Sequence, residues 1–256
     1  MSNIIQNRII WITGASSGIG KSLALQLARN NTVIASARNQ EKLQQLRSQN
    51  AGIIIKQADI TKPEELISVC HSINQSFGKI DMIIANAGHC EYMDVKRFDG
   101  NIAKRMMETN YMGFIYTLEA SLELLRKSTT PHIVAMSSSS VLAGLPRAEA
   151  YSASKAAISQ FMESLSADLK PEGFMLSVIH PGFIDTELTQ QNDFAMPLLM
   201  SSDDAAKRII SDLGKSRFNI EFPKRLTWIL RCLKATPYFI RHRITSSLSR
   251  NVQHEP

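Results

Sequence analysis

Short runs rich in β-branched residues alternate along this chain with longer amphipathic stretches, and that alternation leaves few folds open. Strands separated by helix-length segments describe βα units around a parallel sheet. Seven runs qualify, at 9–13, 32–37, 52–57, 80–86, 132–137, 175–180 and 217–222. Helical stretches begin between them at Gly18, Glu41, Pro63, Asp99, Tyr151 and Ser202, with Pro63 suited to a first turn and Ser202 to an N-cap. No internal repeat interrupts the pattern, and 256 residues fit one α/β domain. The expected fold is a single-domain, doubly wound, mostly parallel seven-stranded sheet with helices on both faces. It spans residues 1–222, and 223–256 form an extension.

Such sheets bind ligands beyond the carboxyl ends of their strands. The first run leads directly into Thr13-Gly14-Ala15-Ser16-Ser17-Gly18-Ile19-Gly20. Glycines there permit a tight turn and close approach of a pyrophosphate to the amides that open the next helix. Three glycines also occur in ordinary strand-to-helix turns, but the strand before and the helix after favour a Rossmann dinucleotide site. The second run ends Ser36-Ala37-Arg38, where an NAD-preferring fold carries a carboxylate for the ribose 2′-hydroxyl. An arginine pairs instead with a 2′-phosphate, so NADP(H) is the expected cofactor and NAD(H) the alternative. The competing readings of Arg38 are a solvated cation or one neutralised by Glu41.

Tyr151 and Lys155 stand four residues apart and so project from one helical face. A phenol ionises near pH ~10, and about 4 kcal/mol of preferential stabilisation would bring it near neutrality. One cation at ~4 Å in an effective dielectric of ~20 supplies that amount. The pair therefore reads as a proton donor and its electrostatic partner in a hydride-transfer enzyme. Taken singly, Tyr151 could cap a helix edge and Lys155 could be solvated. Four consecutive serines, Ser137, Ser138, Ser139 and Ser140, lie upstream, and chemistry alone does not choose among them.

With these motifs in order, residues 8–222 resemble the short-chain dehydrogenase/reductase family. The resemblance implies that Gly14, Ser16, Ser17, Gly18, Ile19 and Gly20 form the cofactor turn. It further implies that Asp59 and Ile60 meet the adenine and that Asn86, Ala87 and Gly88 form the family's Asn-Ala-Gly element, here preceded by Ala85 where asparagine is frequent. It selects Ser138 to orient the substrate, Asn110 for a structural and proton-relay role, Tyr151 as general acid/base and Lys155 for the nicotinamide ribose. Pro181, Gly182 and Thr186 would complete the nicotinamide end. The implied reaction is hydride transfer between NADP(H) and a carbonyl or secondary alcohol. The implied assembly is a homodimer or homotetramer through the fourth and fifth helices. A catalytically silent nucleotide-sensing protein, recruited to a membrane or partner by its tail, is the alternative. Dehydration or isomerisation on the same scaffold is a third reading.

Composition bounds the setting. Cys70, Cys90 and Cys232 are odd in number, far apart and without metal-ligand spacing, which fits a reducing cytoplasm and no metal site. No signal peptide and no membrane-spanning run is expected. The segment 183–201, with Phe183, Phe194, Met196, Leu198, Leu199 and Met200, suits a mobile cover for an apolar substrate, or a loop packed against its own core. The net charge of +6 arises at the C-terminus, since residues from Lys215 onward hold 9 Lys/Arg against 2 Asp/Glu. In 224–234, Leu226, Ile229, Leu230 and Leu233 share a helical face, and Tyr238, Phe239, Ile240, Arg241 and Arg243 follow. This basic-aromatic mixture suits peripheral contact with the inner membrane surface, or packing on the domain or a neighbouring subunit. No nucleic-acid module is recognisable.

Overall fold

The protein is described here by a computed structural model covering residues 4–190, 192 and 196–247. Seven parallel strands form the sheet: β1 (Ile9–Thr13), β2 (Thr32–Ala37), β3 (Ile54–Gln57), β4 (Met82–Ala85), β5 (His132–Met136), β6 (Met175–Pro181) and β9 (Asn219–Phe222). Their order is β3-β2-β1-β4-β5-β6-β9. The chain winds outward from β1 to β3, then returns to place β4 on the other side of β1. That reversal opens a crevice at the carboxyl ends of β1 and β4.

The helices α1 (Gly18–Leu27), α2 (Gln40–Gln49), α3 (Pro63–Phe77), α4 (Gly100–Met106), α5 (Gly113–Arg126), α6 (Glu149–Leu169) and α7 (Ser202–Leu213) cover the two faces. Each face has its own apolar core, one around Ile10, Ile12 and Leu23 and the other around Trp11, Ile83 and Ile133. Alternate residues of β1 thus enter opposite cores, as a twofold strand period requires. Burying Trp11 would strand its indole N–H, but Nε1 donates to Ser36 Oγ at 2.9 Å.

Several ends differ from the sequence reading for local reasons. The third strand starts at Ile54 because Asn50 and Gly52 form a side-chain turn, with Gly52 N donating to Asn50 Oδ1 at 3.0 Å. The N-cap of α7 is Ser201, whose hydroxyl accepts from Asp204 N at 3.1 Å, so Ser202 is the first helical residue. The helical stretch that follows Asp99 is interrupted at Met107–Met112 by one widened π turn before α5. Asp99 itself caps α4 through Asn101 N.

A short strand pair and the last helix went unread in the sequence, whereas the helical face over 224–234 is present. Within 183–201, β7 (Ile184–Asp185) pairs in parallel with β8 (Met200–Ser201). Beyond β9 stand α8 (Lys224–Ala235) and α9 (Tyr238–Ser247). Leu226 and Leu230 of α8 pack on Leu142 and Ala143, joined by Leu233 and Phe183. Ile229, expected on that face, is 55% exposed. Three of the four stripe residues of α8, Leu226, Leu230 and Leu233, are thus taken up by the domain, and Ile229 faces outward. Phe194 and the last residues of the tail, 248–256, lie outside the described residues.

Candidate active site

The crevice at the strand ends holds a cavity of about 410 Å³. Of the nineteen expected site residues, seventeen line it, and only Gly20 and Asn110 stand behind its wall. Gly14 and Gly20 explain the glycine requirement. Gly14 adopts φ +66°, and a Cβ there would lie 2.6 Å from Ala87 Cα. At Gly20 a Cβ would sit 2.3 Å from Gly14 O, so a side chain would push the helix off the turn. Asn86 locks the same turn from β4, donating from Nδ2 to Thr13 O and Gly14 O at 3.1 Å each.

Above this turn the first helix presents its N-terminus to the cavity. Ser17 occupies its N-cap without a side-chain capping bond, and its first turn holds no acidic residue. Unsatisfied amides at a helix N-terminus favour an anion. At the far end, Arg38 and Lys42 also line the cavity. Among the described residues Arg38 pairs with no carboxylate, Glu41 included, while Lys42 meets Glu187 at 2.6 Å. Asp59 Oδ1 accepts from Thr61 N and Oγ1 at 3.0 and 2.9 Å, which fixes its carboxylate in the wall. Ile60 lies beside it, and Thr186 lies over Gly18. Phosphate-sized amides, paired cations and an open cavity fit a dinucleotide.

The other end gathers the reactive side chains. Ser138 hydrogen-bonds the phenol of Tyr151 across the cavity wall. Ser137 is committed elsewhere, its Oγ bonding Lys155 O at 3.0 Å and Ser159 Oγ at 2.7 Å; Ser139 is buried, and the Ser140 hydroxyl is enclosed without a partner among the described residues. Lys155 is 3% exposed, with Nζ donating to Met136 O at 2.9 Å and lying 6.0 Å from the centre of the Tyr151 ring.

Burial controls the titration here. It pushes the Lys155 ammonium down to about 8 and raises the Tyr151 phenol, with Cys90 adding to the rise and Ser138 opposing it. The expectation of a phenol acidified by its lysine is thus not met within the protein alone, because desolvation outweighs the neighbour.

Asn110 sits in the widened turn and is 1% exposed. Its Oδ1 accepts from His89 N at 2.7 Å, and its Nδ2 donates to His89 O and Ser154 Oγ at 2.9 Å. It therefore ties the segment after β4 to α6, and a π turn is a common device for such placement.

Other cavity neighbours escaped the sequence reading. Lys42 could have been found, since it lies in the first turn of α2, four residues after Arg38. Tyr92 donates to Asn192 at 2.5 Å, and the Cys90 thiol, pushed up to about 11 by burial, lies near enough to Tyr151 to raise its phenol. His180, just before Pro181, brings Nδ1 within 3.4 Å of Ser138 O. No local pattern marks Tyr92, Cys90 or His180, because only the fold brings them here.

A doubly wound sheet with this glycine turn, cation pair and tyrosine at its carboxyl edge defines a dinucleotide-dependent oxidoreductase. The family model for short chain dehydrogenases matches residues 8–196. An uncharacterized oxidoreductase of Myxococcus xanthus (strain DK1622) is 36% identical over 235 residues, covering 90% of this chain and 93% of that protein. The 11-beta-hydroxysteroid dehydrogenase A of Sesamum indicum is 35% identical over 196 residues, 74% of this chain but 56% of the plant protein. A short chain dehydrogenase from Burkholderia cenocepacia J2315, crystallised in complex with NADP, matches with a TM-score of 0.82 at 25% identity, covering 96% of this chain and 98% of that one. The chain belongs to the short-chain dehydrogenase/reductase family and is a dehydrogenase or reductase acting between CH–OH and C=O groups.

Proposed function

We propose that this protein is an NADPH-dependent reductase of apolar ketones or aldehydes, with Tyr151 as general acid. NADPH, a proton and the carbonyl compound would give NADP and the alcohol. The bound nicotinamide dinucleotide would supply the hydride to the carbonyl carbon. Tyr151 delivers the proton to the carbonyl oxygen, within reach of the Ser138 hydroxyl that hydrogen-bonds it. Ser138 donates a hydrogen bond to the same oxygen as negative charge develops. Lys155 holds the ribose, and Asn110 fixes the segment behind it and serves the proton relay. The reading rests on one observation: Tyr151, Ser138 and Lys155 line the same cavity as the glycine turn and Arg38.

Arg38 supports NADPH over NADH, because among the described residues it pairs with no carboxylate and would meet a 2′-phosphate, with Lys42 and its partner Glu187 beside it. Consumption of NADPH with a panel of carbonyl compounds tests the activity. Dinucleotide binding without consumption would instead indicate a silent nucleotide sensor, and loss of water in the product would indicate a dehydratase.

Assembly as a homodimer or homotetramer through α4–α5 and α6 belongs to the same proposal. It is supported by half-buried Ile115, Leu122, Phe161 and Leu165 on those helices, and light scattering on the purified chain checks it. A cytoplasmic setting with peripheral membrane contact through 223–256 is the remaining part. Among the described residues no helix is long and apolar enough to cross a membrane.

A further inference from the structure

Twelve large apolar side chains are exposed among the described residues, and six of them lie on α8 and α9. Trp228 and Phe239 are 68% and 74% exposed, and Ile229, Tyr238, Ile240 and Ile244 accompany them. Single exposed apolar residues are ordinary, but this density on one short stretch of surface is not. The same stretch is strongly basic. Six Lys or Arg fall within 224–247, and no acidic residue stands between Glu221 and Glu255.

Charge decides what covers this surface. A two-fold contact with a second copy would bring basic helices against basic helices. An anionic lipid surface offers the opposite sign, together with an apolar interior for aromatic side chains. Arg241 Nη1 donates to Lys234 O at 3.0 Å and its guanidinium lies 5.6 Å from the centre of the Tyr238 ring, so α9 is tied to the end of α8.

The opposite face of α8 packs beside the candidate active site. Leu226 and Leu230 pack on Leu142 and Ala143, the segment that follows Ser138. Phe183 belongs to that cluster and opens the 183–201 segment. Met200 N donates to Phe183 O at 3.0 Å, directly after exposed Leu198 and Leu199. One helix, about 10 Å thick, thus separates the basic-aromatic surface from the segments that flank the reactive side chains.

We propose that α8 and α9 seat the enzyme on an anionic bilayer and that its substrate is a long-chain ketone or aldehyde dissolved in that bilayer. This rests on the reductase reading and names its substrate class. Each basic residue near such a surface changes partitioning about fivefold.

The full chain with NADPH would be tested on two kinds of substrate. One is a panel of water-soluble carbonyl compounds; the other is hexadecanal in phosphatidylcholine vesicles with or without phosphatidylglycerol. The expected result is flotation with the anionic vesicles only, and at least tenfold faster hexadecanal reduction in their presence. Trp228→Ser with Phe239→Ser, and separately Lys234→Glu with Arg243→Glu, should abolish both effects and leave soluble turnover unchanged. Absence of flotation, flotation without acceleration, or conversion of a dimer to a monomer by Trp228→Ser with Phe239→Ser would overturn the proposal. Turnover confined to the soluble panel would overturn it alone, whereas failure of every carbonyl in both arms would overturn the reductase reading as well.

Discussion

Lys155 Nζ donates to the carbonyl oxygen of Met136 at 2.9 Å, so α6 is bolted to the end of β5 by an ammonium that burial has brought down to about 8. This ammonium is costly to the fold. In the unfolded chain it titrates near 10.5, so between pH 8 and 10.5 the unfolded state binds more protons and stability rises with pH. Below pH 8 both states are protonated and the full penalty, about 3 kcal/mol, is present. Lys155→Met, which also gives up one hydrogen bond of about 1 kcal/mol, should raise the melting temperature by a few degrees at neutral pH. It should also flatten the pH dependence between 8 and 10.5. A less stable variant at pH 7 in urea unfolding would contradict this account.

Removal of the Tyr151 hydroxyl should reduce carbonyl turnover by about 10²–10⁴-fold, the usual contribution of a positioned acid. Tyr151→Phe keeps the ring that forms part of the cavity wall. NADPH binding, read by protein fluorescence quenching, should therefore persist. Turnover at the parental rate would remove Tyr151 from the mechanism.

Reversal of charge at Arg38 should change the choice of dinucleotide. Arg38→Asp removes a bidentate partner for a 2′-phosphate, at a cost of about 1.5–3 kcal/mol, and places a repelling carboxylate there. The Kd for NADPH should rise by roughly one to two orders of magnitude while that for NADH holds or falls. Calorimetric titration of both cofactors measures it, and parallel losses would point to a merely structural arginine.

His132 is the acid-labile point of the core. It is 1% exposed, and burial pushes its pKa down to about 3. Ser177 Oγ donates to Arg217 O at 2.7 Å, so its lone pair receives the proton from His132 Nε2 at 2.9 Å. The folded state keeps the ring neutral while the unfolded chain protonates it below about 6.5. Stability is therefore lost as pH falls from about 6.5 toward 3, by about 2 kcal/mol at pH 5. His132→Asn should shrink the difference between denaturant midpoints at pH 7 and pH 5, and an unchanged difference would assign the acid sensitivity elsewhere.

The sequence by itself determined the winding and the cofactor edge, because both rest on local rules. β-branched runs at regular intervals specify buried parallel strands, and the glycine turn from Gly14 to Gly20 is dictated by contacts a single Cβ would violate. The pairing of Tyr151 with Lys155 follows from helix period alone. Tertiary structure decided what depends on enclosure. It selected Ser138 as the serine beside the phenol, because Ser137 turns to Lys155 O and Ser159. It also reversed the expected acidity of Tyr151, because desolvation is a property of the finished cavity and not of residue spacing. It turned the leucine stripe of α8 inward onto Leu142 and left Trp228 and Phe239 outside, a division that helical periodicity cannot make without knowing which face meets the domain.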